Sequence, residues 1–170
     1  LNLHAERAMA VSEPLKVTIT NFPDKTEEED FEINPNDEAA GTRKITVSKH
    51  IWIDKEDFSL NPPPKYFRLK VGGYVRLKNA YIIKCDEAVT DENGEVTELK
   101  CSYEPSSRSG SDTSGIKVKG VIHWVNAEDC ADCEIRKYDY LLKDAEYAGQ
   151  DFSERMNYDS VHVFNGKAEK

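Results

Sequence analysis

The chain of 170 residues is long enough for one domain or two small ones. Its 32 acidic residues outnumber 23 basic ones for a net charge of −9, and a mean hydropathy of −0.69 marks a soluble protein. No apolar run nears the ~18 residues of a membrane-spanning helix and no charged-then-apolar leader opens the chain, so neither a membrane nor a secretory role is expected, and the cytoplasm is the expected compartment.

The opening "LNLHAERAMAVSEP" begins at Leu1 and reads as the interior of something longer, so a fragment is expected. In "LKVTITNF" (15–22), Leu15, Val17 and Ile19 alternate with Lys16, Thr18 and Thr20, the period of a half-buried strand. "PDKTEEEDFEINPNDEAAG" (23–41) is acidic and turn-rich. A solvated loop is expected there, with Glu27, Glu28, Glu29 and Asp30 exposed and mobile, because adjacent carboxylates cannot share a buried site without partners. "RKITVSKHIWI" (43–53) holds a second alternating run, and the strand-like "YVRLKNAYIIKCDEAV" and "EVTELKCSYE" flank Asn93-Gly94, a strong hairpin signal. "EPSSRSGSDTSG" (104–115) reads as a flexible Ser/Gly loop, "GIKVKGVIHWV" (115–125) as a strand, "NAEDCADCEIRKYDYLL" (126–142) as containing a short helical turn, and "DSVHVF" (159–164) as a short strand. Many short strands separated by turn residues imply an all-β barrel or sandwich.

Motifs for an active site are missing. There is no phosphate-cradling G-x-x-x-x-G-K-[ST], no G-x-G-x-x-G, no H-E-x-x-H and no G-x-S-x-G. His4, His50, His123 and His162 are scattered, and no carboxylate pair has a context that would separate two pKa values. Four cysteines, Cys85, Cys101, Cys130 and Cys133, are expected as reduced thiols. Cys130 and Cys133 form a C-x-x-C, so a structural zinc with Cys85 and Cys101 as the second pair is an alternative, although that pair lacks knuckle spacing.

One stretch stands apart from the acidic whole. "PKYFRLKVGGYVRLKNAYIIK" (64–84) carries Lys65, Arg68, Lys70, Arg76, Lys78 and Lys84 and no acid. Alternation predicts two strands joined at Gly72-Gly73-Tyr74, a hairpin across 68–78 with Leu69 facing Leu77, Lys70 opposite Arg76 and Arg68 opposite Lys78. Like charges directly opposed are unfavourable, by ~0.2–1 kcal/mol a pair. Either the face is merely solvated, or an anion sits on it. Tyr66, Phe67, Tyr74 and Tyr81 interleave the cations, a combination that suits the phosphates and unstacked bases of single-stranded RNA.

Five strings occur in order along the chain: "ERAMAVSEPLKVTITNFP" (6–23), "IWIDKEDF" (51–58), "YFRLKVGGYVRLKNAYIIK" (66–84), "KVKGVIHWV" (117–125) and "CEIRKYDYLL" (133–142). Together they resemble the C-terminal anticodon-binding region of glutaminyl-tRNA synthetases, whose architecture the glutamyl enzymes share. The resemblance implies two β-barrels of a ribosomal 5S-RNA-binding type sharing the chain. Residues 1–125 would form mainly the first barrel, with a hairpin over 66–103, and 126–170 the start of the return into a second, truncated one. It further implies that Arg7 contacts the middle anticodon base, that Arg68 reads the third, and that Arg76 and Lys78 lie around the first base and nearby phosphates. Asn2 and Asn36 would lie near the loop and Lys65 beside the middle base. At the position before Arg68 the family often has Lys, whereas this chain has Phe67; the family's "F-x-x-x-G-Y-F" and "V-F-N-R-T-V" strings are absent. The implied partner is the anticodon loop of tRNA(Gln), with no DNA and no membrane, bound by a monomer. The implied parent is an ATP- and Mg-dependent glutamine–tRNA ligase, with no cofactor and no active site in this part.

Overall fold

The computed structural model describes residues 2–143 and 151–170. Its strands are β1 (Ala10–Val11), β2 (Pro14–Ile19), β3 (Glu27–Glu32), β4 (Thr42–Val47), β5 (His50–Asp54) and β6 (Tyr74–Leu77), followed by β7 (Ile82–Thr90), β8 (Val96–Glu104), β9 (Val121–Ile122), β10 (Val125–Asn126), β11 (Cys130–Tyr138) and β12 (Val161–Glu169). One helical turn, α1 (Phe152–Arg155), and three short 3₁₀ turns are the only helix among the described residues. The expected all-β, barrel-like fold is therefore present.

Seven strands form a mixed sheet in the order β10-β5-β2-β8-β7-β6-β9; β1, β12 and β11 form a second sheet, and β3 and β4 a two-stranded ribbon. The alternation in β2 explains its central place. Leu15, Val17 and Ile19 are buried, and the strand pairs antiparallel with β5 and parallel with β8, so its backbone is satisfied on both edges. Trp124 is fully buried in the same core, with Phe31 from the ribbon packed edge-on at 6.2 Å and the indole N–H donating to the Lys78 carbonyl. The hairpin between β7 and β8 turns at Asn93-Gly94 as expected. There Asp91 Oδ1 accepts from the Asn93 and Glu95 amides, and Gly94 takes a φ of +83°.

Four local expectations are corrected. The 68–78 hairpin does not form. Leu69 is held instead by residues 57–59, its amide donating to Asp57 O and its carbonyl accepting from Ser59 N. Gly72, with φ +74°, is the third residue of a tight turn closed by Gly73 N to Lys70 O, a position that favours glycine. β6 then pairs with β7 across a turn at Asn79, whose φ is +54°, and with β9 on its other edge. Leu69, Val75 and Leu77 are buried as the alternation requires, but Val71 is half exposed and Arg76 lies opposite Ile82 and Val121 rather than Lys70.

The acidic run is a strand, not a loop. Glu28 and Asp30 point out from β3, while Glu29 and Phe31 point in and are buried. The Ser/Gly tract is pinned rather than loose: Ser107 is fully buried, its Oγ accepting from Ile82 N at 2.7 Å and donating to Glu104 O at 2.6 Å. Within 126–142 the backbone runs extended as β11 and pairs residue for residue with β12, leaving no helical turn there.

Candidate nucleic-acid interface

Arg68 projects from the irregular stretch before the Gly72 turn, and the 3₁₀ turn Lys55–Asp57 cradles it. Its Nη1 lies 3.0 Å from Asp57 Oδ1 and 3.5 Å from Glu56 Oε1, and donates to Glu56 O at 3.3 Å. Tyr66 OH donates to the same Glu56 carbonyl, so two side chains of the cationic stretch hang on one turn. Burial pushes the Asp57 carboxyl up to about 6, against the pull of Arg68, while Asp54 and Glu56 push it further up. Arg68 itself remains exposed.

Arg76 is different. Its Nη1 donates to Ala80 O at 3.2 Å and Ser107 O at 2.7 Å, and its Nη2 pairs with Asp112, which in turn accepts from the Ser114 amide and hydroxyl. The side chain is 18% exposed. Three of the guanidinium's N–H donors are thus engaged by its own chain, and it ties the 105–115 loop to the end of β6. Lys78 sits at the β6 turn with its amide on Ile122 O, beside His123, whose imidazole is held below its ordinary range by burial and by the Lys78 charge. Lys65 is exposed with a left-handed φ of 65°, in a turn closed by Tyr66 N to Pro63 O.

Arg7, Asn2 and Asn36 come together in a second group. The Asn2 carbonyl accepts from Arg7 Nη2 at 3.3 Å and from Asn36 Nδ2 at 3.0 Å. Buried Asn34 organises them, its Nδ2 donating to Ala5 O and its Oδ1 accepting from Asn36 N. Arg7, Arg43 and Glu169 border a cleft of about 300 Å³, in which Arg43 binds Glu169 Oε1 through Nε and Nη2.

Residues 113–127 carry Lys117, Lys119 and His123 and no acid, a second such stretch that sequence reading passed over. The structure lays it beside the first: Arg76 N donates to Gly120 O, and Lys119 Nζ stands 5.1 Å from the Phe67 ring centroid. Lys65, Lys70, Lys78, Lys117 and Lys119 have no ion pair among the described residues.

The cysteines do not assemble a zinc site. Cys85 and Cys101 face one another across β7 and β8 in the core, where the Cys85 contact and burial keep the Cys101 thiol protonated. Cys130 and Cys133 lie on β11 in the other sheet, and an i, i+3 pair on a strand points to opposite faces. Among the described residues no cluster of three or more metal-ligating side chains occurs.

Barrel-like β-structure carries two cation-rich, acid-free stretches side by side, and comparison with known proteins places the chain. The chain belongs to the anticodon-binding domain family of the class I tRNA synthetases for glutamate and glutamine, which matches residues 5–104 and, in a second part, residues 121–170. It is similar to the glutamine–tRNA ligase of Clostridium perfringens, with 50% identity over 165 residues covering 95% of this chain and 30% of that protein. The glutamine–tRNA ligases of Clostridium kluyveri and Rhodopirellula baltica are 46% and 45% identical over 99% of the chain, covering 31% and 29% of their own lengths. The chain thus spans about 30% of the length of these relatives.

Proposed function

We propose that this chain is the part of a glutamine–tRNA ligase that recognises the anticodon loop of tRNA(Gln). The observation that carries the reading is electrostatic. In a chain of net charge −9, two stretches without acids lie side by side and leave five lysines without carboxylate partners among the described residues. A basic face on an acidic body concentrates binding at one place and repels RNA elsewhere. Arg68 reads base edges from its carboxylate cradle; Lys65 and Lys78 meet phosphates; Arg7, with Asn2 and Asn36, forms a second reading point. Arg76 supports the site through the 105–115 loop and reaches RNA only by exchanging Asp112 for a phosphate. Residues 1–125 serve as the first barrel and 126–170 as the entry to the second. In this reading ATP and Mg act in the rest of a monomeric, cytoplasmic enzyme that joins glutamine to its tRNA.

The test is tRNA binding by the full-length protein. Arg7→Ala and Arg68→Ala are each expected to weaken it by about 1–3 kcal/mol and to relax preference among anticodon bases, as removal of a base-edge hydrogen bond does. Unchanged affinity and unchanged preference in both variants would return these cations to a solvated face.

A further inference from the structure

Phe67 is a large apolar side chain left half exposed, 51% accessible, between Tyr66 and Arg68. Its ring is not bare: Lys119 Nζ lies 5.1 Å from the centroid, and Lys119 has no ion pair among the described residues. The two residues are 52 positions apart and meet because the backbones meet. A Cβ built on Gly120 would fall 1.8 Å from the Phe67 carbonyl oxygen, so only glycine lets the 117–121 segment approach this closely. Arg76 N to Gly120 O and the parallel pairing of β9 with β6 fix the segment in that place. Lys117 lies on the same segment, and no Asp or Glu occurs from residue 58 to 85 or from 113 to 127.

We propose that Phe67 and Lys119 form a nucleotide subsite: an unstacked base of single-stranded RNA lies on the Phe67 face, and Lys119 swings from the ring to the phosphate of that nucleotide. The inference rests on the anticodon-binding reading and extends it to residues that reading does not include. An aromatic face accepts any base, and an ammonium already poised over it needs little reordering to meet the anion that accompanies the base. Lys119 stands over the half-exposed Phe67 ring in the free protein, and a base takes that face once the phosphate draws the ammonium aside. The subsite strengthens binding without choosing a base, whereas Arg68, one residue on, makes the choice.

The experiment uses the full-length protein and tRNA(Gln) carrying 2-aminopurine at successive anticodon-loop positions, with binding measured across salt concentrations. At one position the fluorescence should be quenched on binding, and Phe67→Ala should abolish that quenching and weaken affinity about 5- to 50-fold, in keeping with loss of one stacked base. Phe67→Tyr should preserve both. Lys119→Ala should weaken binding several-fold and lower the log–log salt slope by about 0.7, while Lys119→Arg keeps the slope. The double variant should lose less than the product of the single losses, because one nucleotide bridges both groups. Thermal melts of Phe67→Ala and Lys119→Ala keep folding apart from binding. If Phe67→Ala and Lys119→Ala bind as the parent does while Arg68→Ala weakens binding, the subsite is wrong and the anticodon reading stands. Should Arg68→Ala also change nothing, both fall.

Discussion

Two runs of charge lie in this chain, and the fold treats them in opposite ways. Three acids of the run in β3 find partners within the molecule, while Glu28 and Glu32 have no ion pair among the described residues. Glu27 accepts from Tyr81 OH at 2.7 Å and pairs with Lys25 at 2.9 Å, Glu29 pairs with Arg108 at 3.1 Å, and Asp30 pairs with Lys44 directly opposite on β4 at 2.7 Å. Among the described residues, only Arg68, Arg76 and Lys84 of the cationic run are in ion pairs, while Lys65, Lys70 and Lys78 are not. A charge neutralised internally, as at Glu29 or Arg76, belongs to the structure; one left uncompensated, as at Lys65, Lys70 or Lys78, is available to a ligand. Composition alone makes the two runs look alike, and their partners separate them.

The acidic run breaks first when its partner is removed. Glu29 is 5% exposed at its side chain, one of its carboxylate oxygens is buried without a hydrogen-bond partner among the described residues, and burial raises its pKa against the effect of Arg108. Arg108→Ala strands that carboxylate. Because Arg108 is half exposed, water replaces part of what it supplies, so the loss should fall at about 2–3 kcal/mol, below that of a fully enclosed pair. Urea denaturation would measure it, and a change under ~0.5 kcal/mol would show that β3 does not need its partner.

Arg76→Ala sharpens the contrast within the cationic run. Removing a guanidinium with three acceptors should lower stability by about 2 kcal/mol and speed amide exchange over 105–115. Arg68→Ala, at an exposed side chain whose buried partner Asp57 can take up a proton near pH 6 once the guanidinium is gone, should shift stability by about 1 kcal/mol. Equal losses in the two variants would erase the distinction between an arginine that supports the fold and one left at the surface.

These differences mark where the sequence was legible. Period-two alternation located β2, β5, β7 and β8 and identified Leu15, Val17, Leu69, Val75 and Leu77 as core, because burial on one face leaves that signature directly in the residues. What failed was pairing over distance. "TEEEDFEI" reads as loop because its partners Tyr81 and Arg108 lie 54 and 79 positions from Glu27 and Glu29. Gly72-Gly73 suggested a hairpin because local turn chemistry says nothing about the parallel bridge from Leu69 to Phe58. Arg68 and Arg76 looked equivalent in sequence, and only the Ser107 carbonyl and Asp112, supplied by the distant Ser/Gly tract, make them different. The pairing of Phe67 with Lys119 left a trace, the acid-free stretch 113–127, but no sequence rule ties it to residues 64–84.

Asp57 offers a titration that reports on the cradle of Arg68. Its carboxyl rises from an ordinary 3.8 to about 6 on folding, so the folded state holds this proton more tightly than the unfolded one. Its contribution to stability is full below pH 4 and is lost as pH climbs to about 6. Asp57→Asn should remove that decline and stabilise the protein by about 1–2 kcal/mol at neutral pH relative to the parent. It should also loosen Arg68 and, on the proposed function, reduce discrimination among anticodon bases. The difference between parent and variant melts from pH 4 to 7 isolates Asp57 from Glu29 and the other carboxylates; a flat difference would place the carboxyl in water.

The smallest expected effect tests the unpaired end of the cationic run. Lys78 lies at the β6 turn with its backbone bonded to Ile122 and Trp124 and no ion pair among the described residues, so truncating its side chain should leave the turn intact. Lys78→Ala in the full-length protein should weaken all tRNAs to a similar degree, since a cation on a phosphate carries no base information. Its mark is the salt dependence: taking one ammonium away from a single-stranded phosphate lowers the log–log slope by about 0.7. His123 sits near enough to Lys78 to feel its charge, and the removal of that charge should let the imidazole titrate higher, a change that NMR can follow independently of RNA. A shifted His123 with an unchanged salt slope would mean that the charge is gone and that Lys78 faces solvent alone. A reduced slope together with altered anticodon preference would move Lys78 from the phosphates to the bases, beside Arg68.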